Sequence, residues 1–126
     1  MSNRYFENSR NIVMQLPTAV EALSALAHSS RLAAFRLLVR AGADGVAAGD
    51  IAREIGALPN TLSTHLTILG SAGLITSQRK GRSVIYSADY DGMRDLLGFL
   101  VADCCGGQPA ICGSLGDLAS KADCRP

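Results

Sequence analysis

Glycine placement constrains this chain more than any other feature. Gly42, Gly45, Gly56, Gly73, Gly81 and the pair Gly106–Gly107 cut it into short segments. None of those segments holds an apolar run near the ~20 residues that a bilayer-spanning helix needs. Each must instead form a short helix or strand that is stable only when packed against the others. With 126 residues and 48% apolar side chains, the chain can build one domain around one core. The opening MSNRYFENSRNIVMQL lacks an apolar stretch followed by a small-residue cleavage site, so no secretory signal and a cytoplasmic location are expected.

Periodicity assigns the segments. Thr18-Ala-Val-Glu21 has the pattern of a capping box, expected to open a helix with Val20, Leu23, Leu26 and Ala27 inward. Ser29 or Ser30 would cap a second helix, with Leu32, Phe35, Leu38 and Val39 at helical spacing. Ile51, Ala52 and Ile55 mark a third helix that stops at Gly56. Pro59 suits the first position of a fourth, with an inward stripe of Leu62, Leu66 and Leu69 that runs to Gly73. Residues 74–79 and 83–87 read as strands joined at Lys80-Gly81-Arg82. Asp91 would cap a last helix striped by Met93, Leu96, Leu97, Leu100 and Val101 and stopped by Gly106–Gly107. The order is four helices, a hairpin and a helix.

The net charge of +1 averages over a sharp pattern: +3 over residues 1–43, −2 over 44–58, +3 over 59–88 and −3 over 89–126. No carboxylate lies between Glu54 and Asp89. A surface that meets a polyanion excludes carboxylates in this way, although a neutral Ser/Thr-rich surface looks similar. Within that stretch, 51–55 and 59–72 have the spacing of a helix-turn-helix, whose second helix would enter a DNA major groove. Its wheel turns Asn60, Thr64, Thr67 and Ser71 outward, with Thr61 and Ser63 on the flanks. These are short hydrogen-bonding groups suited to base edges and phosphates. His65 lies closer to the buried face, where packing competes with a phosphate contact. Arg79, Lys80 and Arg82 put three cations at the hairpin tip, as a wing gripping DNA backbone needs; a solvated turn has the same composition.

Ala25-Leu-Ala-His-Ser-Ser-Arg-Leu32, LPNTLSTHLTILGSAGLI at 58–75 and KGRSVIY at 80–86 together resemble the arsenic-repressor (ArsR/SmtB) family of transcriptional regulators. The resemblance spans roughly 18–105. It implies a mainly α fold with a β-hairpin wing, a winged helix-turn-helix that dimerises through its terminal helices. It also implies a repressor that binds double-stranded operator DNA as a homodimer and releases it when an inducer binds. Residues 1–17 would form an N-terminal extension and 106–126 a cysteine-containing tail. The family often carries basic residues where Thr64 and Thr67 stand here, so phosphate contacts would lean on the wing.

Cys104, Cys105, Cys112 and Cys124 all fall in the last 23 residues. Cys104 and Cys105 extend the stripe of the last helix, and Cys112 follows across a Gly/Pro-containing link. Three thiolates without nearby imidazole or carboxylate suit a soft ion. Trivalent arsenic or antimony takes three in a pyramid, whereas zinc prefers a fourth ligand, which Cys124 can supply. The segment GDIAREI lacks the Cys-x-Cys of one family arsenic site, and the last helix lacks the Asp/His/Glu set of a zinc site. The C-terminal Cys-Cys pair with a third Cys resembles the arsenite-responsive subgroup, whose inducer is As(III) or Sb(III) bound by Cys104, Cys105 and Cys112. A thiol redox switch and a pair of small buried side chains remain alternatives. Enzyme chemistry is not expected. A cysteine-based phosphatase or arsenate reductase needs an Arg six positions past its nucleophile, where Ala110, Ile111 and Leu118 stand.

Overall fold

The computed structural model describes residues 14–102. Helices α1 (Leu16–Leu26) and α2 (Ser29–Ala41) lead, through a 3₁₀ turn at Gly42–Asp44, to a two-residue strand β1 (Val46–Ala47). Helices α3 (Ala48–Ile55) and α4 (Pro59–Ser71), the hairpin β2 (Ile75–Lys80) and β3 (Ser83–Ala88), and helix α5 (Tyr90–Val101) follow. This is the expected order of four helices, a hairpin and a helix, with one strand added.

That strand gives the sheet the order β1-β3-β2, antiparallel throughout. Val46 pairs with Tyr86 and Ala47 with Ile85. Two residues carry no detectable period, so only the pairing with β3 makes them a strand. The approach to it is tight. Gly45 has φ +72°, and a Cβ there would lie 2.5 Å from the Tyr86 carbonyl oxygen.

One core joins all five helices. It contains Ala19, Ala22 and Ala25 of α1, Ala34, Phe35 and Leu38 of α2, Ile51 of α3, Leu62, Leu66 and Leu69 of α4, and Leu96 of α5, with Leu74 and Ile75 where β2 begins. The Leu62/Leu66/Leu69 stripe is inward as its spacing predicts. The first helix corrects its prediction. α1 starts at Leu16, with Gln15 as an N-cap that makes no side-chain bond, so the Thr18–Glu21 capping box does not form. Its inward face is the alanine row, while Val20 is 53% exposed and Leu23 is also exposed. Leu32 of α2 is exposed as well. Alanines allow close approach of neighbouring helices, which leaves the larger side chains on the far side.

Two other caps also move. His28, not Ser29 or Ser30, caps α2, its Nδ1 accepting the Ser30 N–H at 3.1 Å. Asp89, not Asp91, caps α5 by accepting the Gly92 N–H at 3.0 Å. The start of α5 is pinned from three sides. The Asp89 N–H donates to the Leu74 carbonyl (2.9 Å), the Tyr90 hydroxyl donates to the Val39 carbonyl (2.9 Å), and Gly92 lies so close to the Gly73 carbonyl that no Cβ fits between them. α5 closes at Val101, and Ala102 (φ −58°, ψ 130°) leaves the helical region. The helix thus ends before the expected stop at Gly106–Gly107, because Ala102 turns to extended backbone; Cys104, Cys105, Cys112 and Cys124 lie outside the described residues.

Candidate nucleic-acid interface

α3 ends at Gly56, whose left-handed backbone (φ 70°, ψ 38°) turns the chain toward α4 without the strain a side chain would bring. Pro59 opens α4, where the missing N–H costs nothing. The N-cap, Leu58, makes no side-chain bond, so N–H groups of the first turn are left for water or phosphate. Because Leu62, Leu66 and Leu69 anchor the inner face, Asn60, Thr61, Ser63, Thr64 and Thr67 are all exposed on the outer one. Two of the hydroxyls already have acceptors within the helix. Thr64 donates to the Asn60 carbonyl at 3.4 Å and Thr67 to the Ser63 carbonyl at 3.0 Å. Their oxygens still accept.

His65 does not join that exposed row. It is buried, with its ring centroid 4.5 Å from that of His28 and its Nδ1 3.3 Å from Nη1 of Arg31. A guanidinium N–H can only donate, so Nδ1 is the acceptor and the imidazole is neutral. Arg31 also donates from Nε to the Ala25 carbonyl at 2.6 Å. Burial holds the His65 pKa below its ordinary value, and His28 and Arg31 push it in the same direction. The placement corrects His65 from a candidate DNA contact to a positioning residue, which ties α4 to the junction of α1 and α2. Its position nearer the apolar face was the sequence signal. The partner Arg31, 34 residues away, was not readable.

Arg79 and Lys80 end β2 and Arg82 sits in the turn, all three exposed. The pairs Arg79↔Val84 and Lys80↔Ser83 place these cations at the hairpin tip. Among the described residues they form no ion pair. The carboxylates of Asp50 and Asp91 are instead engaged by Arg53 and Arg94 on their own helices. An open cleft of about 200 Å³, lined by Thr67, Ser71, Thr76 and Tyr86 among others, lies between α4 and the hairpin. The molecule therefore offers a neutral polar helix face and a cationic tip as separate contact points, with no carboxylate in residues 59–88.

Comparison with known proteins gives this geometry its family. The homodimeric winged helix-turn-helix DNA-binding domain (residues 1–100) of a possible ArsR-family transcriptional regulator from Mycobacterium bovis superposes with a TM-score of 0.58. It is 32% identical, and the match covers 70% of this chain and 81% of that one. The chain belongs to the ArsR-like winged helix-turn-helix transcriptional regulators. A helix-turn-helix domain model matches the regulator over residues 26–78. The HTH-type transcriptional regulator YgaV of Escherichia coli (strain K12) is 30% identical over 82 residues, 65% of this chain and 81% of that protein. The nodulation protein NolR of Rhizobium meliloti is 32% identical over 78 residues, 62% of each chain, so the match spans less than two thirds of NolR. No helix among the described residues is long and apolar enough to cross a membrane.

Proposed function

We propose that this regulator is a metalloid-responsive repressor. It binds operator DNA as a homodimer and dissociates when trivalent arsenic or antimony is captured by the thiolates of Cys104, Cys105 and Cys112. The exposed apolar residues of α1 (Leu16, Val20, Leu23) and α5 (Leu97, Leu100) supply a dimer seam. The outer face of α4 supplies base and sugar-phosphate contacts, and the wing cations supply phosphate contacts. The observation that carries the inducer reading is the position of the thiols. In the sequence, Cys104 follows the end of α5 by three residues, with Cys105 and Cys112 after it, and α5 is the helix that would support the seam.

Sulfurs each ~2.3 Å from one ion lie within about 4 Å of one another. Adjacent side chains on an ideal helix diverge by about 100°, so capture of Cys104 and Cys105 favours a non-helical chain there. The start of α5 is bonded to Leu74 and packed on Gly73, at the exit of α4. A shift of α5 therefore bears on the recognition helix. The ligand moves the equilibrium by its difference in affinity for the two arrangements and no more.

The test is titration of As(III) and of Zn(II) into reduced protein on a labelled operator duplex. As(III) is expected to release DNA. Cys104→Ser, Cys105→Ser and Cys112→Ser should each stay bound at arsenite levels that release the wild type, because a hydroxyl is a poor ligand for a soft ion. Cys124→Ser should respond normally. Loss of response in Cys124→Ser, with release by zinc, assigns a four-thiolate zinc site instead. Release by oxidant alone assigns a redox switch. Normal arsenite release by both Cys104→Ser and Cys105→Ser removes the pair as sensor.

A further inference from the structure

The most exposed large apolar side chain among the described residues is Leu58, at 73%. It occupies the N-cap of α4, where Ser, Thr, Asp or Asn would satisfy a first-turn N–H, a bond worth about 1 kcal/mol. The chain gives up that bond for an apolar group in water. The other strongly exposed apolar residues lie on α1, α2 and α5, whereas Leu58 adjoins Pro59, Asn60 and Thr61 at the exposed start of α4. By its place at the start of α4 it adjoins the candidate DNA-facing residues and not the helices of the apolar seam.

Two features of α4 narrow what that surface reads. Residues 59–71 contain no Arg or Lys, so the helix lacks the usual bidentate partner of guanine. The hydroxyl hydrogens of Thr64 and Thr67 are directed to backbone carbonyls of the same helix. Besides the small side chains of Thr61 and Ser63, the helix start offers a groove an amide, at Asn60, and one large branched apolar side chain, at Leu58. The one apolar group on a base edge in the major groove is the C5-methyl of thymine.

We propose that Leu58 is a specificity-determining residue, packing on the C5-methyl of a thymine at the half-site position reached by the start of α4. The proposal rests on the reading above, in which α4 enters the major groove.

The experiment uses the full chain and a duplex selected by the wild type from a random-sequence library, with each thymine replaced in turn by uracil, which lacks only the methyl group. One thymine per half-site is expected to be sensitive. Its replacement should weaken wild-type binding about fourfold, and about sixteenfold when both half-sites carry uracil, the worth of one buried methyl group each. Leu58→Ala should bind the thymine and uracil duplexes alike, and with the affinity of the wild type for the uracil duplex. Uniform tolerance of uracil by the wild type overturns the proposal. So does full uracil sensitivity retained in Leu58→Ala, which assigns the methyl contact to another side chain. A fall in thermal stability of unbound Leu58→Ala also overturns it, by placing Leu58 in a contact within the protein or between subunits. If the wild type selects no duplex, the groove reading itself fails, an outcome separate from these.

Discussion

Helices α1 and α4 are similar in length, 11 and 13 residues, yet they divide their side chains in opposite ways. α4 places leucines inward and Asn, Ser and Thr outward. α1 places alanines inward and Leu16, Val20 and Leu23 outward, at i, i+4 and i+7. Each arrangement satisfies helical periodicity. The difference is in what remains exposed. α4 completes its packing among the described residues and presents hydrogen-bonding groups, whereas α1 leaves its larger apolar side chains on a surface that the described residues do not cover. One face suits a hydrated polyanion and the other a second apolar surface.

The same substitution on the two helices tests that contrast most severely. Leu69→Ala removes a fully buried side chain and should destabilise the fold by about 2–5 kcal/mol in denaturant unfolding, at every protein concentration. Leu23→Ala should change the stability of the single chain by no more than about 0.5 kcal/mol. It should lower the dimer fraction in sedimentation and lower the unfolding midpoint only at protein concentrations where the wild type is dimeric, with no loss in dilute samples. Equal, concentration-independent losses for the two variants would remove the distinction between the helices.

A second test sharpens the polar side. On the proposed interface, neutralising Arg79, Lys80 or Arg82 to Gln should remove two phosphate contacts per dimer. The slope of log K against log salt should fall by about 1.8 for each, at about 0.9 per contact. An unchanged slope after all three substitutions takes the wing out of the interface. Measured on the same duplex, Leu23→Ala should leave the slope per bound dimer unchanged.

The smallest expected effect concerns the link between α4 and the α1–α2 junction. Because burial lowers the His65 pKa in the fold, the unfolded chain binds this proton more readily. The contribution of His65 to stability is therefore complete above its ordinary value of 6.5 and declines as the pH falls below that, toward the lower folded value. His65→Gln should flatten the decline below about pH 6.5 relative to wild type in unfolding titrations. An identical pH profile in the variant would show that the proton binds elsewhere.

Where one period dominates and one face is polar, the sequence was enough. Leu62, Leu66 and Leu69 had a single apolar face to bury, and the exposure of Asn60, Thr61, Ser63, Thr64 and Thr67 followed directly. Gly56, Gly73 and Gly81 marked real turns, each with positive φ. The two strands about Gly81 were readable from their β-branched and aromatic content. The family resemblance rested on the same stretches.

The tertiary structure decided what depends on partners distant in the chain. Apolar residues occur on both sides of α1, so periodicity could not say which side is inward. The close fit of Ala19, Ala22 and Ala25 against neighbouring elements settled it. Strand β1 exists because β3 offers it backbone partners, and its two residues hold no pattern of their own. His65 became a neutral, buried acceptor through Arg31 and His28, which come to it from the α1–α2 junction. Local spacing determines which residues share a face, but only the neighbouring elements determine whether that face meets the core, a second subunit or water.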